Sequence, residues 1–145
     1  MANVGNIFLP DNLHYDKEEH LWLRFENEKL TIGLDSMALE MVGELVNLDF
    51  IPIGTILSKG DTVCTLEAEK MVRPIKSPVR GTVTEHNSEV LARPLEANMD
   101  PYGKGWLVRI CPEDWDRESA NFVTGKEDVT TWLEVEVALY EAGQR

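Results

Sequence analysis

The sequence predicts a mainly β domain, a sandwich or barrel, with one short internal helix and one longer helix near the C-terminal end. Three observations carry this. Short runs of strand-forming residues recur at close intervals, and glycine and proline separate them. The tail then changes to a helical period. The chain has 145 residues, the length of one domain able to fold without staples, and is read as a single unit over residues 1–145.

The elements follow in order. Leu21–Phe25 is apolar with weak alternation, and Lys29–Leu34 alternates more clearly. The polar Glu26-Asn27-Glu28 between them suits a hairpin turn. Asp35 or Ser36 then caps a short helix with Met37, Ala38, Met41 and Val42 on one side, and Gly43 ends it in the left-handed conformation. Further strands are expected at Leu45–Phe50, Thr62–Glu67, Met71–Ile75, Thr82–His86 and Trp106–Cys111. Pro52, Gly54, Gly60, Pro74, Pro78 and Gly81 interrupt or separate them, and Gly103-Lys104-Gly105 reads as a turn before the last. In the tail, Thr124-Gly125-Lys126-Glu127 matches a capping box. After it Val129, Trp132, Leu133, Val137 and Tyr140 recur at helical spacing, so a helix at about 125–142 packs on the β body.

Composition narrows the function. Hydrophobic residues make up 43% of the chain, a globular level. The formal net charge of −12 repels phosphate backbones, so nucleic acid is not an expected partner. No run approaches the ~18 apolar residues of a membrane span, and the start of the chain lacks the pattern of a signal peptide. The expectation is a cytosolic monomer without a membrane partner. Cys64 and Cys111 form no CxxC pattern and read as core residues, although Cys64 lies only six positions before Lys70. His14, His20 and His86 are scattered, and no metal site is expected. Nucleophile-elbow, dinucleotide and phosphate-loop motifs are absent.

The segment from Gly60 to Gly81 concentrates the interest. Thr62–Glu67 reads as a strand, Ala68-Glu69-Lys70-Met71 as a polar-tipped stretch and Val72–Ile75 as a returning strand. Lys70 therefore sits near the apex of a strand–turn–strand unit. Rigid strands projecting one lysine suit a residue that a ligase must modify and whose attached group must then visit other sites.

This segment resembles the attachment site of lipoyl and biotinyl domains. Glu69 favours lipoyl and Met71 resembles the biotinyl pattern. The rest of the chain resembles the H protein of the glycine cleavage system, a lipoyl carrier with a hybrid barrel-sandwich fold. The likeness rests on Tyr15-x-Lys17-Glu18-x-His20-x-Trp22, on Thr31-Ile32-Gly33 with Ala38, Gly43 and Val46, on Glu67-x-x-Lys70 with Ser77-Pro78-Val79-x-Gly81, and on Asp100-Pro101-Tyr102-Gly103-x-Gly105-Trp106-Leu107. It runs from about Tyr15 to Pro112.

The resemblance implies a non-enzymatic carrier with lipoate on Lys70. Glu67, Glu69 and Met71 would be the flanks read by a ligase or partner, and His20 would line a cleft. Its partners would be a lipoate ligase or lipoyl transferase and the redox or transfer enzymes of a multi-component system. The sequence also departs from the family. H proteins hold a cationic aminomethyl group with acids at two positions that are Leu21 and Pro74 here, and the serine usual three positions after the lysine is Arg73. Leu and Pro cannot pair with an ammonium group, and desolvating an unpaired cation is costly. These departures suggest an H-like lipoate-binding protein serving another pathway, such as sulfur oxidation beside a heterodisulfide-reductase-like complex. The alternative is an H protein shuttling aminomethyl. More distant alternatives are a biotinyl carrier or an unmodified interaction module.

Overall fold

The computed structural model describes residues 2–144. In chain order the elements are β1 (Ala2–Val4), β2 (Ile7–Leu9), β3 (His14–Asp16), β4 (Leu21–Glu26), β5 (Lys29–Leu34), α1 (Ser36–Val42), β6 (Leu45–Phe50), β7 (Ile56–Leu57), β8 (Thr62–Ala68), β9 (Val72–Lys76), β10 (Gly81–His86), α2 (Ser88–Ala92), α3 (Glu96–Met99), β11 (Val108–Pro112), α4 (Trp115–Glu118), a 3₁₀ turn (Ser119–Asn121), β12 (Val123–Thr124) and α5 (Lys126–Glu141). A seven-stranded sheet runs β12-β3-β4-β5-β11-β10-β7, a three-stranded sheet runs β6-β8-β9, and β1 pairs with β2. All pairings are antiparallel. This is the barrel-sandwich architecture.

Two apolar clusters hold it together. The main one joins the two larger sheets through Leu21, Leu23, Leu30, Ile32, Leu48, Leu66, Ile75 and Ile110. The second lies under α5, where Val129, Trp132, Leu133 and Val137 meet Tyr15, Trp22, Met37 and the β1–β2 hairpin. Strand β4 serves both: Leu21 and Leu23 enter the first cluster and Trp22 the second. Burial on both faces is why its sequence alternates so weakly. Gly33 lies opposite Trp22, and a Cβ at Gly33 would run into the indole ring. The β4–β5 turn is made by Asn27 (φ 51°) and Glu28 (φ 64°), a pair of positive φ values that matches the right-handed strand twist.

Several expectations need correction. Gly43 does end α1 and has φ 82°, but its ψ of −158° is outside the left-handed helical region. The Thr124–Glu127 capping box does not form. Thr124 belongs to β12, its hydroxyl donates to Leu13 O at 2.8 Å, and α5 starts from Gly125 with no side-chain cap. The last expected strand begins at Val108, because Trp106 O is taken by the Asn87 side chain at 2.6 Å. Of the two caps expected for α1, Asp35 is the one that forms: its carboxylate accepts from Ala38 N at 2.8 Å.

Candidate functional site

Lys70 lies at the tip of the β8–β9 hairpin. Glu67 and Val72 form the last strand pair, and Ala68 N donates to Met71 O at 2.9 Å to close the turn. Glu69, Lys70 and Met71 are all exposed there, and Glu67 faces solvent one step below. The sequence signal thus brings Glu67, Glu69, Lys70 and Met71 onto one hairpin.

The hairpin is seated rather than free. Lys70 N donates to Val42 O at 3.0 Å and Glu69 N to Glu44 O at 2.8 Å. The Lys70 ammonium donates to Glu40 O at 3.1 Å. The final carbonyls of α1 carry the helix's partial negative charge, so they suit a cation. The acylable amine therefore stands at the surface, its root fixed by two backbone hydrogen bonds to a second segment.

Beside this turn lies a cleft of about 520 Å³ lined by Lys17, Glu18, His20, Met41, Arg73, Trp132, Val135 and Glu136. Met41 follows the carbonyl that holds the Lys70 amine, and Arg73 is three residues beyond Lys70 on β9. His20 forms part of the cleft wall although it is only 4% exposed. Its Nδ1 lies 3.6 Å from Asp35 Oδ2 and its Nε2 lies 3.4 Å from Glu136 Oε1. The ring stacks on Trp132 at 5.3 Å between centroids, and the Trp132 indole N–H donates to Glu136 at 3.3 Å. Arg73 donates to Glu19 O, and its guanidinium also faces the Glu19 carboxylate at 3.8 Å.

The residues at the two departing positions lie elsewhere. Leu21 is fully buried in the main core, and Pro74 is exposed on β9, paired across the strands with Thr65. Neither lines the cleft. Cys64 is buried, and desolvation pushes its thiol up to about 12, whereas Cys111 is exposed. The two thiols occupy different environments. Among the described residues no cluster of His, Cys, Asp or Glu suits a metal ion, and no helix is long and apolar enough to cross a membrane.

Comparison with known proteins then decides the family. The model of the family described as "Glycine cleavage H-protein" matches residues 13–135. The chain belongs to this family. "Glycine cleavage system H protein 2" of Aquifex aeolicus is 32% identical over 122 residues, covering 83% of this chain and 76% of the relative. "Glycine cleavage system H protein" of Bifidobacterium longum is 39% identical, covering 78% and 82%. A glycine cleavage system H protein from Mycobacterium marinum, known by crystal structure, superposes with a TM-score of 0.68 at 27% identity, covering 72% of this chain and 87% of that one. Glycine cleavage H proteins carry a covalently attached lipoate, have no catalytic activity of their own and work with the enzymes of a multi-component system.

The residues present fit such a group. Lys70 offers an exposed amine, and Met41, Trp132 and Val135 give the adjacent cleft apolar wall for a hydrocarbon arm. Sequence reasoning placed Lys70 and its flanks near the apex of a strand–turn–strand unit, where the hairpin has them, but missed the seat. Val42, Gly43 and Glu44 act through backbone groups, which leave little trace in side-chain chemistry. The glycine was the available signal.

Proposed function

We propose that this protein is a lipoyl carrier modified on Lys70 whose cargo is not aminomethyl. The attachment rests on one observation: Lys70 is the exposed tip of a rigid hairpin whose backbone is pinned beside an apolar-walled cleft. Lipoate ligase or lipoyl transferase would acylate the amine, with Glu67, Glu69 and Met71 as the flanks it reads. The carrier would then act as a monomer in the cytosol, presenting the arm to its partner enzymes in turn and raising the local concentration of what the arm holds.

The cargo reading rests on the sequence departures at Leu21 and Pro74, which lie outside the cleft, together with Arg73 in its wall. Where the family's amine-holding acids are expected, this chain has a core leucine and a solvent-facing proline, and Arg73 brings a guanidinium into the cleft wall. A cation at that wall opposes a carried ammonium group and tolerates an anionic or sulfur cargo. A dithiol arm suits sulfur or electron transfer, because its thiols attack sulfur–sulfur bonds and then close to a disulfide. This favours service to a redox complex of the heterodisulfide-reductase-like kind in sulfur oxidation. The relatives include three H proteins numbered 2, 3 and 5 from the single organism Aquifex aeolicus, consistent with division of labour in the family. The names of the relatives and the cleft acids Glu18 and Glu136 favour the aminomethyl alternative.

Two experiments test the reading. Intact mass after incubation with ligase and lipoate should show one lipoyl gain, absent in Lys70→Arg with the fold intact; an unmodified wild-type chain refutes the attachment. Glycine decarboxylation with the other glycine cleavage components should be poor, and efficient turnover refutes the cargo reading.

A further inference from the structure

The lipoyl hairpin is held by a segment that is itself held from a distant part of the chain. Residues 42–44 supply the two carbonyls that receive Lys70 N and Glu69 N. Between those carbonyls sits Gly43, with φ 82° and ψ −158°. A Cβ there would meet Glu69 Oε1 at 2.5 Å and Glu69 Cβ at 3.0 Å. Only glycine reaches this φ without strain while leaving room for the hairpin. The same segment is clasped from its other side by Asn98 of α3. Its Nδ2 donates to Gly43 O at 3.0 Å and its Oδ1 accepts from Leu45 N at 2.9 Å. One side-chain amide therefore uses both donor and acceptor on the two peptides that flank Glu44. It takes the carbonyl of the Gly43–Glu44 peptide and the N–H of the Glu44–Leu45 peptide, which presents Glu44 O. The Val42–Gly43 peptide just before them is held by Gly43 N on Leu39 O at 2.8 Å.

We infer that Gly43 and Asn98 are positioning residues for the modified lysine: they hold the α1–β6 junction in the one shape that receives the hairpin. Neither touches the acylated amine. Their effect is on where the root of Lys70 stands and how firmly. A ligase that must bring an activated acyl group to a single amine depends on that placement, because small misplacement costs large factors in rate. The inference rests on Lys70 being the lipoylated residue, but its first test does not.

Backbone amide exchange reads the seat directly in the unmodified chain. Glu69 and Lys70 are exposed residues, yet their N–H groups should exchange slowly because both are engaged. Fast exchange at these two amides in the wild-type chain overturns the inference with no variant involved. Asn98→Ala should speed exchange at Glu69 and Lys70 by roughly tenfold, the scale of one lost hydrogen-bond pair, while amides of β4, β5 and β11 keep their protection. Gly43→Ala should do at least as much. Both variants should lower kcat/KM for lipoylation by roughly tenfold or more, with unchanged acyl-transfer stoichiometry at completion. If Asn98→Ala leaves both amides protected and the lipoylation rate unchanged, Asn98 is only a structural tie and the inference fails. If exchange changes as stated but no chain is ever lipoylated, the seat stands and the assignment of Lys70 falls.

Discussion

Replacing Tyr102 by Phe isolates a pair of hydrogen bonds that tie the late signature loop to α1. The Tyr102 hydroxyl accepts from Ser36 N at 2.8 Å and donates to Phe8 O at 2.7 Å. Ser36 N is one of the N-terminal helix donors that has no partner within the helix. Its carbonyl-side neighbour Asp35 already caps Ala38 N, so no local side chain replaces the hydroxyl. Phe keeps the ring contacts with Phe8 and Trp22 but strands one donor and one acceptor. At about 1–3 kcal/mol for an unsatisfied group, and with water reaching part of the site, the loss comes to about 2–4 kcal/mol. For a chain of this size about 2–4 °C accompanies each kcal/mol, so Tm should fall by roughly 5–15 °C. Urea unfolding should show a lower midpoint with an unchanged slope. A variant within about 0.5 kcal/mol of the parent, the range of an ordinary surface change, would refute the view that this hydroxyl holds the first turn of α1. Burial and nearby Asp35 push the Tyr102 phenol well above its ordinary value, so it stays a neutral donor across the usable pH range.

Other outcomes follow from the same packing. Gly33→Ala should cost about 1–3 kcal/mol by overpacking, because the Trp22 indole it meets is held by its N–H on Pro101 O at 2.8 Å; near-ultraviolet circular dichroism should register the displaced ring. At pH 8 iodoacetamide should label Cys111 readily and Cys64 only after denaturation, since burial lifts the Cys64 thiol to about 12; equal labelling rates in the native chain would contradict the core placement. The hydrogen bond from Arg109 holds the Glu85 carboxyl below its usual range. That contribution is present above the ordinary carboxylate range and is lost as pH falls through the lowered folded value. The stability gap between the parent and Arg109→Met should therefore shrink on acidification below about pH 4, and a gap that widens in acid would reverse the assignment.

The sequence was informative where one physical rule dominated. Short strand-forming runs between glycines and prolines located β5, β6, β8, β9 and β10, and the 3.6-residue stripe located α5. β5 is buried on both faces from Leu30 to Leu34, so its flanking turns rather than a one-sided pattern marked it. The elements it missed are those made by tertiary context. β1 and β2 are three-residue strands around Gly5-Asn6, stable only because α5 and α1 lie against them. Pairing with β3 turns Thr124 from a helix cap into a strand residue, and Leu13 O just before β3 accepts its hydroxyl. The hairpin bearing Lys70 was legible from its own residues. The cleft was not, because Lys17, His20, Met41, Arg73 and Glu136 come from four separate regions of the chain and nothing in their local spacing records that they meet. His20 stood out only through the family motif, and its φ of 56° shows why the position is unusual.

The seating of the Lys70 hairpin on the end of α1 has a consequence for traffic. Anything tethered there swings from a stationary pivot, so its reach is a fixed volume centred on one surface point. Under the proposed function, each client enzyme would have to enter that same volume from the solvent side of one hairpin. On that reading, clients would therefore exclude one another, and their relative affinities and departure rates would set the order of successive visits. A loosened pivot would widen the volume and dilute each encounter, trading orderly queuing for indiscriminate contact.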